Sequence, residues 1–145
     1  MKRYRFRLET ISRIRNLQEQ VARDRVMRAQ YELKMAHISR DERAEELRSY
    51  EMPSDVASVA ELAWVGMQGE RLGTSLAMAE KDIEEKEKVC VEAKEQWNER
   101  KKQASAVARL KANGYRKWQS EMLREETREF DDIATIRFAS QGRKS

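Results

Sequence analysis

Cysteine is almost missing from this 145-residue chain: Cys90 stands alone, which excludes an internal disulfide. His37 is the only histidine, so no tetrahedral zinc site of Cys and His can be assembled within one molecule. Proline occurs once, at Pro53, and glycine five times, far too little punctuation for a fold of short strands and tight turns. Three Phe, three Trp and four Tyr are too few for a sizeable globular core. No stretch approaches the roughly 20 apolar residues of a membrane span, so any membrane association is expected to be peripheral. Nor does an apolar run near Met1 read as a secretion signal, and a reducing, cytosolic setting is expected.

What the chain has in abundance is charge and helix formers. Charged residues make up 39%, equal to the hydrophobic share, and Ala, Leu, Glu, Lys, Arg and Gln dominate. With helical periodicity, that mixture signals long helices whose burial is spread along a seam. The net charge of +4 is unevenly distributed. Residues 1–30 carry nine basic against three acidic groups, residues 41–95 seven against fifteen, and residues 96–145 twelve against seven. Folded back near Pro53, the chain would have an acidic tip and a basic open end.

A first helix is predicted over about 8–50. Leu8, Ile11, Ile14, Leu17 and Val21 recur at spacings of three and four, and the stripe continues through Ala22, Val26, Ala29, Leu33 and Ala36. Met27, Tyr31, Met35 and Ile38 widen the apolar surface. Reversal is expected at a tip of about 51–58, where Pro53 disfavours helix before it and Ser58 stands at capping-box spacing from Glu61.

The second helix, about 59–138, shows the clearer pattern. One heptad line reads Leu62, Gly69, Leu76, Ile83, Cys90, Trp97, Ala104, and its partner line reads Val65, Leu72, Ala79, Lys86, Ala93, Arg100, Val107. Past Val107 the phase is expected to slip through Leu110, Gly114 and Trp118 and resume at Met122, Phe130, Ile133 and Ile136, with a bend at Gly114 because of its weak helix propensity. At ~1.5 Å per residue the helices would run to about 65 and 120 Å, leaving residues after about 100 to project or bend back. Neither amphipathic helix is stable alone, whereas zipping them together buries both stripes. The reading is all-α: one domain over 1–145, a long two-helix antiparallel coiled-coil hairpin.

Reaction chemistry is sparse. Gly66-Met67-Gln68-Gly69-Glu70-Arg71-Leu72-Gly73 is glycine-rich but lacks the Lys-Ser/Thr that closes a phosphate loop, and no strand precedes it. Carboxylates are plentiful, yet a two-helix rod encloses no pocket in which burial would tune one for proton transfer. No catalytic, cofactor-binding or metal-binding residue is assigned, and no cofactor is expected. Lys2-Arg3-Tyr4-Arg5-Phe6-Arg7, with Lys101, Lys102, Arg109, Lys111, Arg116 and Lys117, makes a basic surface that reads either as solvated charge or as a docking face for nucleic acid or an anionic membrane.

Several segments resemble the flagellar export protein FliJ family. They are Phe6-Arg7-Leu8-Glu9-Thr10-Ile11 with Ile14-Arg15, Ser58-Val59-Ala60-Glu61-Leu62, Gln96-Trp97-Asn98-Glu99-Arg100-Lys101-Lys102-Gln103, and Glu125-Glu126 through Phe130-Asp131-Asp132-Ile133-Ala134. Asp132 stands where that family usually has Glu. The resemblance implies an antiparallel coiled coil similar to the central stalk of rotary ATPases, without activity of its own. It implies three partners: the hexameric export ATPase, the export-gate membrane protein and export chaperones, with peripheral membrane association through the apparatus and no nucleic acid. Arg3, Arg5, Arg7, Arg13, Arg15, Arg124 and Arg128 would face the ATPase. Leu72 matches a gate-contact position, and because Gln68 replaces an aromatic, the contact would be rebuilt from Trp64 or Met67. The stalk protein of a virulence type III system is the nearest alternative, and a nucleic-acid or membrane-surface coiled coil the more distant one.

Overall fold

The computed structural model describes residues 2–50, 55 and 58–144. It is an all-α helical hairpin of two helices packed against each other, α1 (Glu9–Ser49) and α2 (Val59–Gly142). Glu9 in the first turn of α1 and Arg48 in its last complement the helix dipole at both ends. At the start of α2 the Ser58 hydroxyl accepts the Glu61 backbone N–H at 3.2 Å, satisfying one of the free donors of the first turn. The expected reversal around Pro53 lies largely at residues 51–54, 56 and 57, outside the described residues. Contacts divide the chain into two compact units: Gln18–Arg100, and Met1–Leu17 with Lys101–Ser145.

Within Gln18–Arg100 the core is a seam of small apolar side chains. Ala22, Val26, Ala29 and Ala36 of α1 are buried, as are Val65, Ile83 and Cys90 of α2, with Leu33, Leu72, Leu76, Ala79 and Ala93 half-buried. Alanine at successive seam positions lets the helices approach closely, so that modest side chains suffice to exclude water. Polar rungs flank this seam. Lys86 Nζ lies 3.4 Å from Glu32, Arg43 donates to the Ser75 hydroxyl, and Trp97 Nε1 donates to Glu19 at 2.9 Å. Arg100 donates to Gln18 at 3.1 Å.

Tyr50, just past the end of α1, donates its hydroxyl to the Val65 carbonyl, and its ring passes over Gly69. Since the end of α1 meets Val65 rather than Val59, residues 59–64 extend past its last turn, and Val59, Leu62 and Trp64 are exposed. The pairing is offset accordingly. It runs further along α2 than the expected limit near residue 100 because the end of α1 stands at Val65, a turn and a half into α2.

The second unit shows where that pairing leads. Arg15 donates to Gln103 at 2.8 Å, and Lys111 Nζ lies 2.9 Å from Glu9. Residues 2–8 alternate, with Tyr4, Phe6 and Leu8 turned inward and Arg3, Arg5 and Arg7 outward. Tyr4 donates its hydroxyl to the Lys111 carbonyl at 3.2 Å, and its ring meets Tyr115 edge-on at 5.4 Å and Trp118 at 6.0 Å. Tyr115 and Trp118 stack at 5.6 Å.

Two expectations fail against this arrangement. The seam of α2 does not slip after Val107: it continues in the same frame through Lys111, Gly114 and Trp118, while Leu110 is exposed. Lysine holds a seam position because Glu9 neutralises it there. Gly114 lies within the continuous helix α2. Its place in the fold is steric, since a Cβ there would fall 2.5 Å from the Tyr4 hydroxyl. Finally, Ile11, Ile14, Leu17 and Val21 are exposed, Leu17 by 61%, and the seam of α1 passes instead through Leu8, Ser12, Arg15 and Glu19. Those positions continue the heptad frame of Ala22 and Ala29, and α2 presents polar partners to them. Phe130, Ile133 and Ile136 are exposed as well.

Candidate functional site

What this fold offers a partner is its surface. Among the described residues no cluster of His, Cys, Asp and Glu side chains could hold a metal ion, and no helix is long and apolar enough to cross a membrane. Cys90 is buried as a small hydrophobe in the seam. Charge and exposed apolar side chains are left to be recognised.

Charge separates by unit. Residues 1–17 and 101–145 hold seventeen basic against seven acidic groups, a balance of +10, while residues 18–100 hold thirteen against nineteen, a balance of −6. From Arg100 to Ser120 seven basic residues occur without one acidic residue. A surface of that sign attracts an acidic partner and accelerates encounter, with a strength that falls as salt rises.

The seven arginines expected to face the ATPase are not equivalent. Arg3 and Arg5 are exposed on the non-helical start of the chain, and Arg7 on the turn that leads into α1. Arg13 is exposed over 81% of its side chain, with only a 4.0 Å approach to Glu9. Arg15 is different: it is half-buried and bonded to Gln103, a member of the seam rather than of the surface. Arg124 and Arg128 are exposed one turn apart and line a shallow hollow with Ser120, Leu123 and Thr127. Around and beyond them Leu123, Phe130, Ile133, Ile136 and Phe138 are exposed, so this end of α2 offers apolar and cationic side chains together.

The three residues expected to touch the gate also separate. Trp64 and Met67 are exposed, three residues apart on one side of α2. Met67 and Met78 line an open groove of about 580 Å³ with Arg71, Thr74, Ser39 and Arg43. Leu72 lies seven residues from the buried Val65, on the same seam line, and is half-buried. Its position is that of a packing residue.

Sequence reasoning missed the cluster of Tyr4, Tyr115 and Trp118. Its one legible signal is an aromatic pair one helical turn apart next to a glycine, Gly114-Tyr115 and Trp118, which a ring from elsewhere in the chain could cover. Which ring covers it depends on the register of the hairpin.

The fold defines the class: an all-α helical hairpin of two long helices, with charged and apolar side chains displayed on its faces. The family model described as Flagellar FliJ protein matches residues 4–143, and the chain belongs to that family. It is thus a protein associated with flagellar export, in a family of non-catalytic export components. No curated protein and no solved structure matches the chain.

Proposed function

We propose that this protein is a stalk-like adaptor of the flagellar export apparatus, docking on the hexameric export ATPase, on the export-gate membrane protein and on export chaperones. The observation that supports this reading most strongly is the apolar surface left open at the end of α2. There Arg124 and Arg128 accompany the exposed Leu123, Phe130, Ile133, Ile136 and Phe138, in a unit carrying +10. A helix end whose apolar side chains stay uncovered among the described residues buries them by docking on a partner. A positive field steers it to an acidic opening such as the centre of a ring. Contacts with several subunits would favour the assembled ring by mass action. Trp64 and Met67 form the gate-facing surface, with Leu72 holding the helix beneath them. Through these partners the protein works at the inner face of the cell membrane.

The test is the turnover of the purified export ATPase with and without this protein. Addition of the native chain should raise turnover. Arg13→Glu combined with Arg124→Glu and Arg128→Glu should abolish the gain without loss of helicity, because all three side chains are exposed. An undiminished gain would remove charge-steered docking. Binding to the gate should fall in Trp64→Ala and Met67→Ala, whereas Leu72→Ala should act through stability. If instead the dominant affinity were for DNA or anionic vesicles, falling steeply with salt, the protein would be a nucleic-acid or membrane-surface coiled coil. Complementation of motility or of needle-based secretion separates the flagellar role from that of a virulence system.

A further inference from the structure

α1 carries two heptad faces, and the hairpin uses one. The used face includes Ala22, Val26, Ala29, Leu33 and Ala36. The other reads Ile14, Leu17, Val21, Asp24, Arg28, Tyr31, Met35 and Ile38, in alternating steps of three and four residues, the spacing of a coiled-coil seam. All eight are exposed. Six are apolar, and the face spans about three and a half heptads, the length at which coiled coils sustain themselves. Its two polar members, Asp24 and Arg28, have no hydrogen bond or ion pair with another described residue.

We propose that this face pairs antiparallel with the same face of a second copy of the chain. An antiparallel coiled coil stacks layers in which one heptad position meets the other. Set about a two-fold axis level with Val26, the sequence fills those layers without a mismatch. Ile14 meets Ile38 of the second copy, Leu17 meets Met35, and Val21 meets Tyr31. Asp24 meets Arg28, twice by symmetry.

The charge pattern selects this arrangement over its neighbours. A parallel pair would set Asp24 on Asp24 and Arg28 on Arg28. Sliding an antiparallel pair by one heptad in either direction sets both charges against apolar side chains, at Met35 and Tyr31 or at Val21 and Leu17, leaving them unpaired at a seam. In the chosen register the flanking, exposed Arg13 also falls beside the exposed Asp41 of the second copy. Arg25 falls beside its own copy, a like-charge approach at an exposed edge where water screens it. The paired face lies on nearly the opposite side of α1 from the hairpin seam, so association leaves that seam untouched.

Sedimentation equilibrium of the full chain, followed over concentration, tests this directly. The mass should rise from that of the monomer to twice that value and no further. Asp24→Arg alone and Arg28→Asp alone should each weaken association by about tenfold, while the two together restore it, the signature of a pairwise coupling. Both side chains are exposed, so helicity should be unchanged in all three variants. A spin label on Met27 should report its own copy close by, and a label on Ile38 should not. A monomer at every concentration, single swaps without effect, a double swap no better than the singles, or close approach of labels on Ile38 would each overturn the proposal.

Discussion

The two units hold their helices together by different means. In Gln18–Arg100 the seam centres on Ala22, Val26, Ala29, Ala36, Ile83 and Cys90, side chains with nothing to satisfy but contact. In Met1–Leu17 with Lys101–Ser145 the half-buried Leu8, Ala104 and Val107 share the seam with Ser12, Arg15, Gln103, Lys111 and Gly114, closed by the rings of Tyr4, Tyr115 and Trp118. Apolar burial is strong and indifferent to small shifts of register. Polar pairs add little net stability but penalise every register that leaves them unpaired. One stretch of this hairpin therefore supplies stability while the other specifies alignment.

The largest effect should come from the apolar stretch. Ile83→Ala removes one of its few branched side chains and should lower the free energy of unfolding by about 2–4 kcal/mol, measured by urea denaturation. If it cost no more than Arg15→Ala, the contrast between the units would be lost.

A glycine series probes the polar stretch more finely. Replacing a helical glycine by alanine ordinarily stabilises by about 1 kcal/mol, and Gly66→Ala and Gly73→Ala should do so, since an added methyl meets nothing within 4 Å at either site. Gly114→Ala should go the other way. Its methyl displaces the Tyr4 hydroxyl from the Lys111 carbonyl and disturbs two ring contacts, a net local loss of about 1 kcal/mol. Hydrogen exchange of residues 100–120 together with Trp118 fluorescence would read this, and a stabilised Gly114→Ala would mean that Tyr4 contributes nothing.

The smallest effect concerns Glu9 and Lys111, whose side chains are both more than two-fifths exposed. A double-mutant cycle should give a coupling of about 0.5 kcal/mol that shrinks in high salt. A coupling of zero would reduce the pair to a geometric coincidence and leave the Tyr4 cluster to set the alignment by itself.

The hairpin and the heptad lines of α2 from Val65 to Val107 could be read from residue order, because a seven-residue repeat sustained over that length keeps one stripe facing a partner helix. The N-terminal half of α1 could not. Ile11, Ile14, Leu17 and Val21 outrank Ser12, Arg15 and Glu19 on any hydrophobic count, yet the latter face α2. A helix with two heptad faces is ambiguous until its partner is known, and here α2 offers Trp97, Gln103 and Lys111, groups that are satisfied by polar neighbours. The same ambiguity separates the candidate site residues. Arg13 and Arg15 are alike by composition, two positions apart, and one is surface while the other is seam.

Residue order was enough to establish that this chain forms long helices, that they pair through heptad seams, and that its charge is partitioned between a basic and an acidic stretch. Periodicity and composition are local properties that survive any register. Which face of α1 is spent inside the molecule, which is left exposed, and that Gly114 receives a tyrosine ring became fixed only when the two helices were set side by side. Those outcomes depend on which residues of α2 stand opposite, a relation between distant positions that no local pattern contains.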